Sequence, residues 1–294
     1  MLNLYVVGCG GIGGYLIDML PMAISSLTLD MLQQSGKDIN QYLTNAGNIA
    51  LPVCVDHLTL IDGDTFNPRN ALRQGCGTGS KLVQRMRAMQ DSMLRKSYLQ
   101  NLQLHGVNSY INPLNMEAII PSIPPHNQNN ADAANNFSSL DDYKRNAAVI
   151  FLCVDNVKTR YEVSKYAEYQ LPNCIVINGG NEKTSGHVTV FEQIDGIKQD
   201  PNIYEVYPNI NDTSDKRPDE LACTSIAPQH DQIAVTNSIV ANVMMAIFNK
   251  WVRQGLDKVD KKGNRSRVNE VIIDTESMTM MPLYHPLVEK PAQQ

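Results

Sequence analysis

Short runs of consecutive apolar residues alternate along the chain with stretches whose apolar positions recur every three to four residues. That is the pattern of buried strands joined by covering helices. Leu4–Val7 reads as a first strand, and Gly14 to about Ile24 as the helix after it. Leu58–Ile61 reads as a second strand, followed by a helix from Ser80 to Arg95 with mixed charge on its outer face. Ala147–Val154, Cys174–Ile177 and Gly186–Phe191 read as further strands, with a helix over Lys158–Gln170. Ile233–Trp251 is the longest helical pattern, rich in Ala, Val, Met and Ile, and predicts a core helix. Val268–Asp274 and Met280–Tyr284 form a closing pair of strands. The order predicts an α/β fold, a mostly parallel sheet with flanking helices and antiparallel strands toward the C-terminal half.

Three segments interrupt this rhythm. Residues 25–56 separate the first helix from the second strand by far more than a minimal unit requires. Residues 121–146 are rich in Asn, Pro and Ser, with little to bury, and residues 195–220 are polar and contain proline. All three read as insertions or surface loops on one domain spanning 1–294, and any of them has the composition of a lid.

Composition narrows the function classes. With 294 residues, 43% hydrophobic and 19% charged, the chain can bury a large core. Its net charge of −5 offers no general attraction for nucleic acid or an anionic membrane. No apolar stretch reads as long enough to span a bilayer. Leu2–Val7 lacks a basic flank and runs into glycines, so it is a strand and not an export signal. The six cysteines include no Cys-x-x-Cys pair, which predicts free thiols, a cytoplasmic location and no structural zinc.

The first candidate chemistry is "VVGCGGIGGYLIDML", with Gly8, Gly10, Gly11 and Gly13 between a strand and a helix. Glycines in this register let the backbone turn sharply toward a phosphate, and the helix N-terminus offers N–H groups and a positive dipole end. The structural alternative is a tight turn with no ligand. A dinucleotide enzyme would place a ribose-binding acid roughly 20 residues further on, ending the second strand. Here that region holds Asp30, inside an apparent helix, and the acid that ends a strand is instead Asp62. A carboxylate there can accept both ribose hydroxyls whatever the nucleotide.

In "LTLIDGDTFNPRNALRQ" and just beyond it, Asp62 is followed by Asp64, Asn70, Arg73, Gln74 and Lys81. An acid, amides and two cations in so short a span suit a triphosphate with Mg²⁺, and hydride transfer would need none of them. In "VIFLCVDNVKTRYEV", Asp155 and Asn156 end an apolar strand, where open α/β sheets place ligands, and Arg160 follows. Asp155 could hold Mg²⁺, while the same Asp-Asn pair also suits a helix N-cap. His187 and His230 read as solvent-facing or structural, and Cys153 and Cys174 as core.

Together the glycine turn, D-x-D followed by N-x-x-R-Q, "CVDN" with Arg160, and "NGG…GHVTVF" resemble the ThiF/MoeB/HesA family, adenylating domains related to ubiquitin-activating enzymes. The resemblance implies a Rossmann-like fold and an ATP-dependent adenylyltransferase that activates a carboxylate as an acyl-adenylate. Its implied acceptor is the C-terminus of a ubiquitin-like or sulfur-carrier protein. By the same resemblance Asp62 would hold the ribose, and Asp64 would lie near the phosphates and metal. Asn70, Arg73 and Lys81 would bind the triphosphate, and Asp155 would ligate magnesium. Cys223, in "LACTSIAPQH", would accept the acyl group as a thioester, or it is a buried thiol. A homodimer is implied too.

The chain departs from that pattern in three ways. It begins at the strand, without the N-terminal helix whose arginine reaches a neighbouring protomer in many relatives. It lacks the paired zinc-binding cysteines, and Lys81 follows Gln74 closely. The competing readings are adenylation of a peptide or modified-tRNA carboxylate, an NAD-dependent oxidoreductase, and an inactive scaffold.

Overall fold

The computed structural model describes residues 2–36, 38, 54–66, 79–95, 99, 101–122, 144, 147–211, 234–259 and 265–286. The chain opens with β1 (Leu2–Val7) and α1 (Gly11–Gln34). Next come β2 (Val55–Ile61), β3 (Thr65–Phe66), β4 (Gly79–Ser80) and α2 (Lys81–Arg95). β5 (Gln103–Val107), α3 (Met116–Ile119), β6 (Ala148–Leu152) and α4 (Val157–Gln170) follow. β7 (Cys174–Asn181), β8 (Ser185–Ile194), β9 (Ile197–Lys198) and α5 (Ile203–Val206) lead to a 3₁₀ turn at Pro208–Asn211. α6 (Ala234–Gln254), β10 (Asp257–Val259), β11 (Arg265–Asp274) and β12 (Thr279–Pro286) complete the order.

One sheet runs β10-β11-β8-β7-β6-β1-β2-β5, with β12 beside β11 and β9 beside β8. Strands β5, β2, β1, β6 and β7 are mutually parallel, and β8 and β11 continue the sheet antiparallel. The continuous apolar runs are buried on both faces. Leu2, Leu4 and Val6 point to the core shared with α1, α2 and α6, while Tyr5 and Val7 point to the core under α4. The chain leaves β1 toward β2 on one side and returns to β6 on the other. The carboxyl ends of β1 and β6 therefore flank a topological switch point, where such sheets leave a crevice.

Three expectations change. The first helix does not stop near Ile24. Its apolar stripe continues through Leu27, Met31 and Leu32 onto α6, so residues 25–34 are helix and not insertion. Pro21 sits inside this helix, and Ser25 returns its hydroxyl to the Pro21 carbonyl. Contrary to the sequence reading, α1 is long and apolar enough to cross a membrane by length and composition, but most of it is buried within this fold. Within 195–220, residues 197–211 form β9, α5 and the 3₁₀ turn, anchored by buried Asp200 and Asn202. Asn202 and Glu205 form a reciprocal cap on α5. Residues 212–220 and most of 121–146 lie outside the described residues.

Candidate functional site

The end of β1 is tied to both neighbours before the chain turns. Gly8 N donates to Ile61 O at 2.9 Å, and Cys153 N donates to Val7 O at 2.8 Å. Gly8 has φ +91, and a Cβ there would stand 2.9 Å from the Cys153 carbonyl oxygen. Gly13 closes the turn from the helix side, where an added Cβ would fall 1.8 Å from Gly8 O. Both positions therefore demand glycine. Gly10 caps α1 without a side-chain hydrogen bond, which leaves the first-turn N–H groups to whatever occupies the crevice.

That crevice is a cavity of about 150 Å³. Its lining includes Gly8, Gly10, Gly11, Asp62, Asp64, Lys81, Asp155, Asn156 and Arg160, which converge from four chain segments. Gly13 is not in the lining and serves the turn's packing. The two Asp62 oxygens accept the Cys9 N–H at 2.6 Å and the Asp64 N–H at 2.7 Å. Burial raises the Asp62 carboxyl pKa, against the pull of Lys81 and these two N–H groups. Lys81 Nζ pairs with Asp64 Oδ2 at 2.5 Å. Burial works against the ammonium, but Asp64, Asp62 and Asp155 outweigh it and leave its pKa raised.

On the opposite wall, Asn156 caps α4 by accepting Thr159 N–H at 2.8 Å, so the capping reading belongs to this residue. Asp155, beside it, is exposed and lines the cavity. Arg160 is buried and donates to Val154 O and Asn178 Oδ1. Burial lowers its pKa, opposed by Cys153 and Asp155. Asn178 is itself held by Thr189 Oγ1 at 3.2 Å. His187 is half-buried, and burial together with Arg160 depresses its pKa to about 4, so it is neutral at pH 7. The Cys9 and Cys153 thiols are buried, which pushes Cys153 up to about 12 and makes it a poor nucleophile. Cys153, read as core, also lines the cavity.

Asn70, Arg73, Gln74, Cys223 and His230 lie outside the described residues. Sequence reasoning missed Ser109, Tyr110 and Ile111, which line the cavity just beyond β5. The run "LQLHGV" is too short and polar to advertise β5 as a strand. It also missed Asn181, at the carboxyl end of β7. The donor set fits magnesium in its usual form, with one or two carboxylates and the rest of the shell from phosphate and water. Asp155 and Asp64 are the carboxylates available to it. Among the described residues no group of three or more His, Cys, Asp or Glu side chains could hold a metal.

A sequence profile described as the ThiF family matches residues 35–288, a stretch that begins after the glycine turn. No curated protein matches the sequence significantly. Among solved structures, E. coli MccB with AMPCPP and MccA aligns at TM-score 0.52 and 13% identity, covering 99% of this chain and 65% of that one. E. coli MccB with ATP aligns at TM-score 0.52 and 14% identity, covering 99% and 66%. PaaA aligns at TM-score 0.52 and 14% identity, covering 96% and 72%. The chain thus spans about two thirds of the length of the MccB chains, and these likenesses establish a shared fold.

Proposed function

This chain belongs to the ThiF family, and from that premise we propose that it is an ATP-dependent adenylyltransferase that activates a carboxylate. The observation that carries the reading is the convergence of the glycine turn, the Asp62–Asp64–Lys81 group and the Asp155–Arg160 wall on one cavity at the switch point. The turn's N–H groups and Lys81 suit the phosphates, and Asp62 suits the ribose. Asp155 and Asp64 would hold magnesium, which would neutralise phosphate charge. The acceptor's carboxylate oxygen attacks the α-phosphorus, the bond to the β-phosphate oxygen breaks, and pyrophosphate leaves. A carboxylate is already ionised at neutral pH, so no general base is needed. Positioning and charge neutralisation supply the acceleration.

The acceptor in this reading is the C-terminus of a ubiquitin-like or sulfur-carrier protein, and the Cys223 thiolate would then attack the acyl-adenylate carbonyl, so that the bond to the AMP phosphate oxygen breaks, AMP leaves and a thioester forms. The enzyme would work as a cytoplasmic homodimer. A second reading is adenylation of a peptide carboxylate, and the solved structures of MccB with MccA favour testing it. ATP–pyrophosphate exchange is the deciding assay, run with small proteins ending in Gly-Gly and with MccA as acceptors. Exchange is expected with one of them and lost in Asp155→Ala. Exchange that persists in Asp155→Ala would remove that residue from the metal site. Bound NAD with no affinity for ATP would overturn the assignment.

A further inference from the structure

Asn237 breaks the buried apolar stripe of α6. Val240, Ala241, Met244, Phe248 and Trp251 carry that stripe into the core, and Asn237 continues it toward the helix N-terminus with an amide. The residue is 0% exposed, and neither of its amide atoms has a hydrogen-bond partner among the described residues. Buried amides without partners are rare because each forfeits its hydrogen bonds to water, and an alanine here would avoid that cost.

The amide is directed at the nucleotide turn. A Cβ on Gly11, the first residue of α1, would stand 2.7 Å from Asn237 Nδ2 and 3.1 Å from Oδ1. Gly11 lines the cavity, and Asn237 lies behind it. Its position is fixed from two sides. Thr236 Oγ1 donates to Lys183 O at 2.9 Å, and Val240 packs against Gly179 and Gly186. A rigid, orphaned amide thus sits against the uncapped start of a 24-residue helix whose N–H groups face the cavity.

We propose that Asn237 is a positioning residue for the phosphate-bearing ligand, acting through Gly11. This rests on the nucleotide reading of the cavity. When a phosphate draws the turn's N–H groups toward it, the Gly10–Gly11 peptide shifts and a carbonyl oxygen of that backbone accepts from Asn237 Nδ2, the amide atom nearer to Gly11. The amide therefore destabilises the ligand-free fold and favours the loaded one. A purely structural asparagine would act with the opposite sign on the free protein.

The test is Asn237→Ala, with Asn237→Ser as a second variant that keeps a hydrogen-bonding group. ATP affinity is measured by calorimetry with MgCl₂, and thermal melting is measured without nucleotide. The expected result for Asn237→Ala is an unchanged or raised melting temperature with ATP binding weakened about tenfold, and a smaller loss for Asn237→Ser. ATP binding within twofold of the parent, a lowered melting temperature or a failure to fold would each overturn the proposal. If the parent protein itself binds no ATP, the nucleotide reading fails and takes this proposal with it. Parent binding with an unaffected variant overturns this proposal alone.

Discussion

The amide N–H of Cys9 donates to Asp62 Oδ2 at 2.6 Å, across 53 residues of sequence. The acid that ends β2 is therefore a brace for the glycine turn as well as part of the cavity wall. Its other oxygen accepts Asp64 N–H, so it fixes the position of the residue that pairs with Lys81. One carboxylate orders the turn and the cation opposite it.

Asp62→Asn tests this double duty. An asparagine offers one acceptor oxygen where two backbone N–H groups converge, and its NH₂ would face the second. The unmet donor costs roughly 1–3 kcal/mol, partly offset by removing a buried charge. Chemical denaturation should show a modest loss of stability. Calorimetry should show ATP binding weakened by about tenfold or more, on the scale of one lost charge-assisted contact. Unchanged affinity in a destabilised variant would make Asp62 a brace alone.

Gly13→Ala should abolish nucleotide binding while the protein still folds less stably. The added Cβ would lie 1.8 Å from Gly8 O, so either the turn opens or α1 shifts away from β1. Equal binding by the Gly13 variant and the parent would mean that the turn is not the phosphate cradle.

The parallel half of this fold was readable because its strands are continuous apolar runs bounded by glycine or acid. Leu4–Val7 followed by Gly8 and Leu58–Ile61 followed by Asp62 carry both the element and its functional end. The acids at strand ends were readable for the same reason. Interactions distant in sequence were not. Nothing in "QLHGV" signals that Ser109 and Tyr110 will reach the cavity, and nothing in the apolar pattern of α6 distinguishes Asn237 from a surface asparagine. The end of α1 was missed for a physical reason. Pro21 and Ser25 are poor helix residues locally, but the stripe through Leu27 and Met31 is stabilised by packing on α6.

His187 makes the stability of the fold depend on pH. Burial and the Arg160 charge depress its pKa to about 4, against about 6.5 for an unfolded chain. Between those values the unfolded state binds more protons, so stability rises with pH through that window and is lost on acidification below about 6.5. The full shift is worth at most about 3 kcal/mol. His187→Gln should be close to the parent at pH 5 relative to its deficit at pH 7.5, as read from urea midpoints at both values. An identical pH dependence in the two proteins would assign the titration to another group.

A buried charge cluster lies on the antiparallel side. The Arg267 guanidinium meets Glu192, Asp200 at 2.9 Å and Asp257 at 2.9 Å, joining β11 to β8, to the segment after β9 and to β10. Glu192 is 1% exposed and also accepts the Trp251 indole N–H at 2.5 Å. Burial, reinforced by Asp257, holds the Asp200 carboxyl well above the usual range even with the arginine present. Arg267→Met would strand these carboxylates without a counter-charge, at a cost of about 3–5 kcal/mol. Arg267→Lys keeps the charge but loses the fork, and should fall between. An acid whose folded pKa is raised loses stability as pH rises through that pKa, so the Arg267→Met deficit should shrink on going from pH 7.5 to pH 5. Trp251 is the chain's single tryptophan, and its fluorescence reports unfolding at the cluster itself. A deficit that is small and the same at both pH values would show that the carboxylates are already protonated and that the cluster acts through hydrogen bonds instead of charge.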